Sequence, residues 1–95
     1  MQKTIWITGG SSGIGFATAK KFLKNNWVVV ISSSNLEKLR KAKKNISNEN
    51  HIKNLHILKC DITNKTEVKN TITFIEEKIG KINIALLNAA AYSPN

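Results

Sequence analysis

The chain has 95 residues with a net charge of +9 at pH 7, and 41% of its residues are hydrophobic. This length allows one domain with a modest core, and the composition is that of a globular protein rather than a disordered or fibrous one. No apolar run approaches the ~20 residues of a membrane span, and the N-terminus has no signal-peptide pattern, so we expect a cytoplasmic protein without a membrane partner. The single cysteine, Cys60, excludes an intrachain disulfide and a cysteine-based zinc cluster.

The positive charge is scattered along the chain. Fourteen of the fifteen basic residues are lysines, and the densest patch, residues 37–44, lies on a predicted helix. No aromatic residue interrupts this patch, so stacking on bases has no support. The pattern favours a solvated helix face, and we expect no nucleic-acid partner, although an anionic ligand would still be attracted.

The apolar pattern predicts an α/β chain in which four strands alternate with three helices. The strands cover residues 3–8, 27–32, 55–60 and 82–88, and the helices cover 13–25, 36–46 and the segment from Asn64 to Gly80. Asn26 can end the first helix in the left-handed conformation, Asn35 can cap the second, and Asn64 with Glu67 has the spacing of a capping box. The polar segment 47–54 is predicted to be a loop. The order βαβαβαβ implies a parallel sheet with right-handed crossovers.

Apolar runs and stripes indicate which surfaces are buried. The continuous run 27–32 is typical of a parallel strand that is covered on both faces. In the third helix, the sequence predicts a buried stripe of Val68, Ile72, Ile75 and Ile79. His56 and Lys59 dilute the third strand, as expected at the edge of a sheet.

A cluster of glycines lies between the first strand and the first helix, at positions 9, 10, 13 and 15. Glycine is favoured where the backbone needs positive φ or where a neighbour must come close to the main chain. At this point of a doubly wound sheet, phosphate binds against the amides of the helix N-terminus. We therefore expect the loop to bind a pyrophosphate, with Ser11 and Ser12 as additional hydroxyl donors.

The glycine spacing distinguishes between kinds of nucleotide-binding loop. A mononucleotide P-loop needs lysine after its last glycine, whereas Phe16 follows Gly15. The order G-x-G-x-x-G is absent as well. The chain has T-G-x-x-x-G-x-G instead, from Thr8 to Gly15.

Three motifs in order resemble the classical branch of the short-chain dehydrogenase/reductase family. The first is this glycine pattern, and the second is "CDIT" at 60–63, after the third strand. The third is "LLNAAA" at 86–91, where Asn88 and Ala89 match the family's Asn-Asn-Ala-Gly while Leu87 and Ala90 depart from it. The resemblance covers the whole chain and implies a Rossmann-type, doubly wound sheet with strand order 3-2-1-4.

The resemblance implies a binding site for a nicotinamide dinucleotide in the crevice where the chain reverses between strands one and four. Asp61 is expected to meet the adenine amino group, or else to be only a turn residue before the next helix. Asn88 is expected either to contact the cofactor or to make a strand-end hydrogen bond. The expected cofactor-binding residues are Gly9, Ser11, Ser12, Gly13, Ile14, Gly15, Ser33, Ser34, Asp61, Ile62, Asn88, Ala89 and Ala90.

The end of the second strand bears on the choice between NAD and NADP. Residues 31–35 contain no acidic residue to bind a ribose 2′-hydroxyl, and they lack the arginine that NADP enzymes of the family usually have near Ser34. We predict NADP, because serines 32–34 can hydrogen-bond a 2′-phosphate and Lys38 lies one helical turn on.

The resemblance further implies an oxidoreductase that passes a hydride between nicotinamide and a small carbonyl or alcohol substrate. In that family the acid–base chemistry rests on a serine and a Tyr-x-x-x-Lys pair, and here the only tyrosine, Tyr92, has its fourth following position beyond residue 95. We expect residues 1–95 to be a single truncated cofactor-binding domain that is inactive alone. Its fourth strand should have an unpaired apolar edge. A full-length enzyme is expected to form a homo-oligomer. The alternative is a non-catalytic dinucleotide-sensing module. No metal site is expected, since His51 and His56 lack partners at ligand spacing.

Overall fold

A computed structural model of the chain describes residues 2–11, 13–46 and 52–88. Over these residues four strands alternate with three α-helices, and their ends lie within two residues of the predicted ones. The strands β1 to β4 are Thr4–Thr8, Val28–Ser33, Leu55–Lys59 and Ile82–Leu87. The helices α1 to α3 are Gly13–Lys24, Leu36–Ile46 and Lys65–Lys78. A short 3-10 helix, Ile52–Asn54, precedes β3 where the sequence predicts a loop.

The four strands form one parallel sheet in the order β3-β2-β1-β4, which confirms the predicted doubly wound topology. Ile7 of β1 lies beside Ile31 of β2 on one side and beside Leu86 of β4 on the other. Because all strands run in the same direction, their carboxyl ends meet at one edge of the sheet. The ends of β1 and β4 are neighbours there, at the point where the order of strands reverses.

One face of the sheet is covered by α1 and α2. Alternate residues of the strands point to this face and form a core with the inner sides of the two helices; its buried members are Ile5, Ile7, Ala19, Leu23, Val29, Ile31, Leu39, Ala42, Ile46 and Leu55. Asn26 has a φ of 65° and follows the end of α1, as predicted. Asn35 caps α2, since its Oδ1 accepts a hydrogen bond from the Lys38 N–H at 3.1 Å.

The opposite face is covered by α3 over a smaller core of Trp6, Val30, Cys60 and Ile75. The Trp6 ring N–H, buried in this core, donates to Ser32 Oγ at 2.9 Å. The predicted stripe of α3 is wrong at Ile72, which is 38% exposed. The buried line runs through Thr71 and Ile75 instead, which turns the neighbouring Ile72 onto the flank of the helix.

Strand β4 differs from the rest of the sheet because it is exposed. In the described part of the chain it pairs only with β1, so its other edge is open. Ile84, Leu86 and Leu87 are 40%, 36% and 69% exposed. The predicted unpaired apolar edge at strand four is therefore confirmed within the described residues.

Candidate functional site

The carboxyl ends of the strands are joined by backbone hydrogen bonds, which bring the predicted site residues to one edge. The Gly9 N–H, just beyond β1, donates to the Ser32 carbonyl oxygen at 2.8 Å. The Cys60 N–H, just beyond β3, donates to the Ser33 carbonyl oxygen at 2.9 Å. The glycine loop, the end of β2 and the segment before α3 therefore share one rim of the sheet.

Two glycines of the loop allow it to pack tightly against the end of β4. Gly9 has a φ of +70°, and a Cβ placed there would lie 2.5 Å from the Asn88 carbonyl oxygen. A Cβ on Gly15 would lie 2.6 Å from the Gly9 carbonyl oxygen and 2.8 Å from Asn88 Nδ2. The Asn88 side-chain amide donates to the Gly9 carbonyl oxygen at 3.4 Å. The first turn of α1, the loop and β4 thus form one tightly packed unit.

Gly13 is different, because nothing in the described structure fills the space beside it. Its φ is +61°, and an added Cβ would meet no described atom within 4 Å apart from its chain neighbours and the nearby backbone of its own helix. The neighbouring Ile14 is 76% exposed, whereas Ser11 is partly buried. The start of α1 therefore faces open space, where its N-terminal amides could meet an anionic group.

The Asp61 carboxylate lies on the same rim and is held by its neighbour Thr63. Asp61 Oδ1 accepts hydrogen bonds from the Thr63 hydroxyl at 2.7 Å and from the Thr63 N–H at 2.9 Å. The hydroxyl bond, followed by the backbone bond, lowers the pKa of Asp61 below its ordinary value, against a smaller opposing effect of burial. The carboxylate is therefore ionised near neutral pH. Ile62, beside it, is 44% exposed.

Thr8 also belongs to the site, although it is not among the residues expected to bind the cofactor. Its Oγ1 accepts the Asn88 N–H at 3.0 Å and lies 3.5 Å from the Leu86 carbonyl oxygen. This hydroxyl joins the ends of β1 and β4 and is itself buried. The signal was present in the sequence, because Thr8 is the first residue of the glycine motif.

Glu67 also supports the site, and the structure corrects its predicted role. Asn64 caps α3 as expected, since its Oδ1 accepts the Glu67 N–H at 3.1 Å. In a full capping box the Glu67 carboxylate would accept the Asn64 N–H in return, but that N–H donates to the Asp61 carbonyl oxygen at 3.0 Å. The carboxylate instead accepts the Asp61 N–H at 3.0 Å. Glu67 thus holds the backbone of Asp61.

At the end of β2, two serines precede the start of α2. Ser33 Oγ accepts the Asn35 N–H at 3.1 Å, while Ser34 is exposed. The α2 helix carries one acidic residue in its first turn, Glu37, whose carboxylate lies 3.9 Å from the Arg40 guanidinium. The Glu37 carboxylate therefore lies beside a cation.

Several expected residues fall outside the described part of the chain, namely Ser12, Ala89 and Ala90 of the predicted site, the histidine His51 and the tyrosine Tyr92. The described residues contain no group of three or more histidine, cysteine, aspartate or glutamate side chains that could hold a metal ion. No helix among them has the length and apolar character needed to cross a bilayer.

Comparison with known proteins gives a consistent match over nearly the whole chain. The family model described as short chain dehydrogenase matches residues 3–95. The chain is 33% identical over 93 residues to Short-chain dehydrogenase reductase 5 of Arabidopsis thaliana, an alignment that covers 98% of this chain and 34% of that protein. The chain spans about a third of the length of such curated relatives.

Solved structures agree with this match. A short chain dehydrogenase from Bacillus anthracis is 38% identical with a TM-score of 0.82, over 93% of this chain and 34% of that one. NADP-bound ElxO is 33% identical with a TM-score of 0.83, over 93% of this chain and 35% of that one.

Proposed function

The chain belongs to the short-chain dehydrogenase family, and from this premise we propose that residues 1–95 form a single domain that supplies the cofactor-binding part of an NAD(P)-dependent oxidoreductase. In such an enzyme a hydride passes between the nicotinamide and a carbonyl or hydroxyl carbon of a small substrate. The observation that carries the proposal is the loop in which Gly9 and Gly15 pack against Asn88 while Gly13 faces open space. That space, at the start of α1, leaves room for a pyrophosphate.

We assign a part in cofactor binding to each wall of the crevice. The N-terminal amides and dipole of α1 favour the pyrophosphate, since the positive end of the helix faces it. The ionised Asp61 carboxylate is an acceptor for the adenine amino group. Asn88 acts by holding the loop, because its side-chain amide donates to the Gly9 carbonyl oxygen.

We further propose a preference for NADP over NAD. The exposed Ser34 and Lys38 stand at the start of α2, where a 2′-phosphate could accept their hydrogen bonds. Arg40 offsets the negative charge of the Glu37 carboxylate, which lies 3.9 Å from it. The NADP complex of the similar protein ElxO supports this cofactor class without deciding between the two forms.

Titration of the purified chain with NADPH and with NADH, at the same ionic strength, tests this preference. We expect NADPH to bind roughly tenfold more tightly, about the worth of one charge-assisted contact. Lys38→Gln should weaken NADPH binding and leave NADH binding unchanged, whereas Lys65→Gln on α3 is the matched control that should affect neither. NADH binding as tight as NADPH would refute the preference.

Turnover is a separate question, because the family's tyrosine–lysine pair has no counterpart in these 95 residues. We propose that the chain binds cofactor weakly and does not reduce or oxidise substrates by itself. An assay of the verified 95-residue product against a panel of ketones and alcohols tests this. Steady multiple turnover would contradict it, while binding without turnover also fits the alternative of a dinucleotide-sensing module.

A further inference from the structure

The positive charge of the chain is concentrated on one layer of the fold. Helices α1 and α2, which cover the same face of the sheet, carry eight lysine and arginine residues and a single acidic residue, Glu37. Helix α3, on the other face, carries three lysines and three glutamates. The outer surface of α1 and α2, which we name the basic layer, therefore has a net charge of +7, whereas α3 is neutral.

The basic residues of this layer point to solvent. The apolar stripes of both helices are buried against the sheet, which leaves the charged positions on the outside. Six of the eight basic residues are exposed and the other two are half-buried.

Some of these charges repel one another within their helix. Lys38 and Lys41 are three residues apart and therefore neighbours on the surface of α2, where like charges destabilise. Glu37 offsets only the charge of Arg40, at 3.9 Å. A local conflict of this kind is relieved when an anionic partner covers the surface.

The residue types favour a diffuse anionic surface over a nucleic acid. Seven of the eight basic residues are lysines, whose compact charge lacks the planar fork with which arginine binds nucleic-acid phosphates and bases. The aromatic residues of α1, Phe16 and Phe22, pack against the core and offer no stacking platform, and α2 has none. Lysines near an anionic bilayer each add attraction without any inserted segment.

We propose that the basic layer docks the chain reversibly on anionic phospholipid surfaces. Such docking is peripheral and needs no membrane-spanning helix, so it departs from the sequence-based expectation of no membrane partner, which considered only an inserted apolar span. The lysines of α1 lie within its last five residues, and Lys24 lies roughly 16 Å along the helix from Gly13 at a rise of about 1.5 Å per residue. Lys38 and Arg40 lie at the start of α2, near the carboxyl edge of the sheet. The proposal is argued from the surface charge alone and does not rest on the proposed function.

Sedimentation with phospholipid vesicles tests the proposal, using phosphatidylcholine vesicles with and without roughly 30% phosphatidylserine at about 0.1 M salt. Two triple variants lose the same charge from opposite faces of the sheet. The layer variant carries Lys21→Gln, Lys24→Gln and Lys41→Gln. The control variant carries Lys65→Gln, Lys69→Gln and Lys78→Gln.

We expect the wild type to bind only the anionic vesicles, and the layer variant to bind them at least roughly tenfold more weakly than the control variant. Circular dichroism and thermal unfolding establish that both variants are folded. If the layer variant does not fold, the salt dependence of wild-type binding still tests the proposal. Raising the salt to about 0.5 M should release the wild type from the anionic vesicles. Any one of four results would overturn the proposal. They are equal binding by the two variants, salt-independent binding, binding to vesicles of phosphatidylcholine alone, and tighter binding to duplex DNA or RNA than to vesicles at equal phosphate.

Discussion

At the scale of single residues, the glycines of the loop have two distinct purposes. Gly9 and Gly15 are required by packing, because a Cβ on either would collide with the backbone or side chain across the crevice. Gly13 is required by its positive φ alone, and the space beside it is open. The same residue type thus fixes the loop to β4 at two positions and leaves room for a ligand at a third.

Thr8 should fix the position of Asn88 through one buried hydroxyl. Thr8→Val keeps the shape of the side chain but removes the acceptor of the Asn88 N–H, which should cost about 1 kcal/mol and speed exchange of that amide roughly fivefold. Thr8→Ser keeps the acceptor and is the control. Amide hydrogen exchange of Asn88, followed by nuclear magnetic resonance, measures the effect. Equal exchange rates in the two variants would show that the hydroxyl does not hold Asn88.

His56 should make the stability of the chain depend on pH. Burial, and then the neighbouring Lys43, lower the pKa of His56 from its ordinary value of 6.5. The folded chain therefore binds this proton less readily than the unfolded chain, so the free energy of unfolding should fall as the pH drops from above 6.5 towards the lowered pKa and then level off.

Urea unfolding between about pH 7.5 and about pH 5 measures this dependence, and His56→Gln is the matched variant that should remove part of it. All other residues are the same in the two proteins, so their contributions cancel in the comparison. Identical pH profiles for the wild type and His56→Gln would contradict the assignment.

At the scale of elements, strands β2 and β4 have the same kind of sequence but different surroundings. Both are rich in apolar residues, yet β2 is buried between two strands and two helical layers, whereas β4 has one neighbour among the described strands and is exposed. Periodicity could predict that each is a strand, but not how much of it is covered, because burial depends on what packs beside it. The same limit explains Ile72, since a stripe one residue away satisfies the helical period almost as well.

The open edge of β4 should cause the chain to self-associate. Ile84→Lys places a charge on this exposed strand and should shift the chain towards the monomer, because edge strands are blunted by inward or flanking charges. Phe74→Lys, on the exposed side of α3, makes the same apolar-to-charged change at a similar exposure and should have little effect. Sedimentation velocity over a range of concentrations compares them, and equal association by both variants would exclude the β4 edge as the cause.

At the scale of the whole molecule, the order of motifs along the sequence was sufficient to predict the fold and the edge of the sheet on which the candidate residues lie. Each motif follows a strand, and parallel strands bring their carboxyl ends to one edge, so Gly9, Asp61 and Asn88 had to share that edge. The separation of charge between the two faces could not be read from the net charge, because it depends on which helices share a face. The role of Glu67 also required the structure, since its spacing to Asn64 fits a capping box equally well.

The most direct test of a dinucleotide site at the start of α1 is to place a charge in the open space beside Gly13. Aspartate and asparagine have the same size and both tolerate the left-handed conformation, so Gly13→Asp and Gly13→Asn should fold equally well. Only the aspartate would repel a pyrophosphate. Fluorescence titration with NADPH should therefore give a dissociation constant at least roughly tenfold higher for Gly13→Asp than for Gly13→Asn. Equal NADPH affinity in the two variants would contradict a pyrophosphate site at this loop.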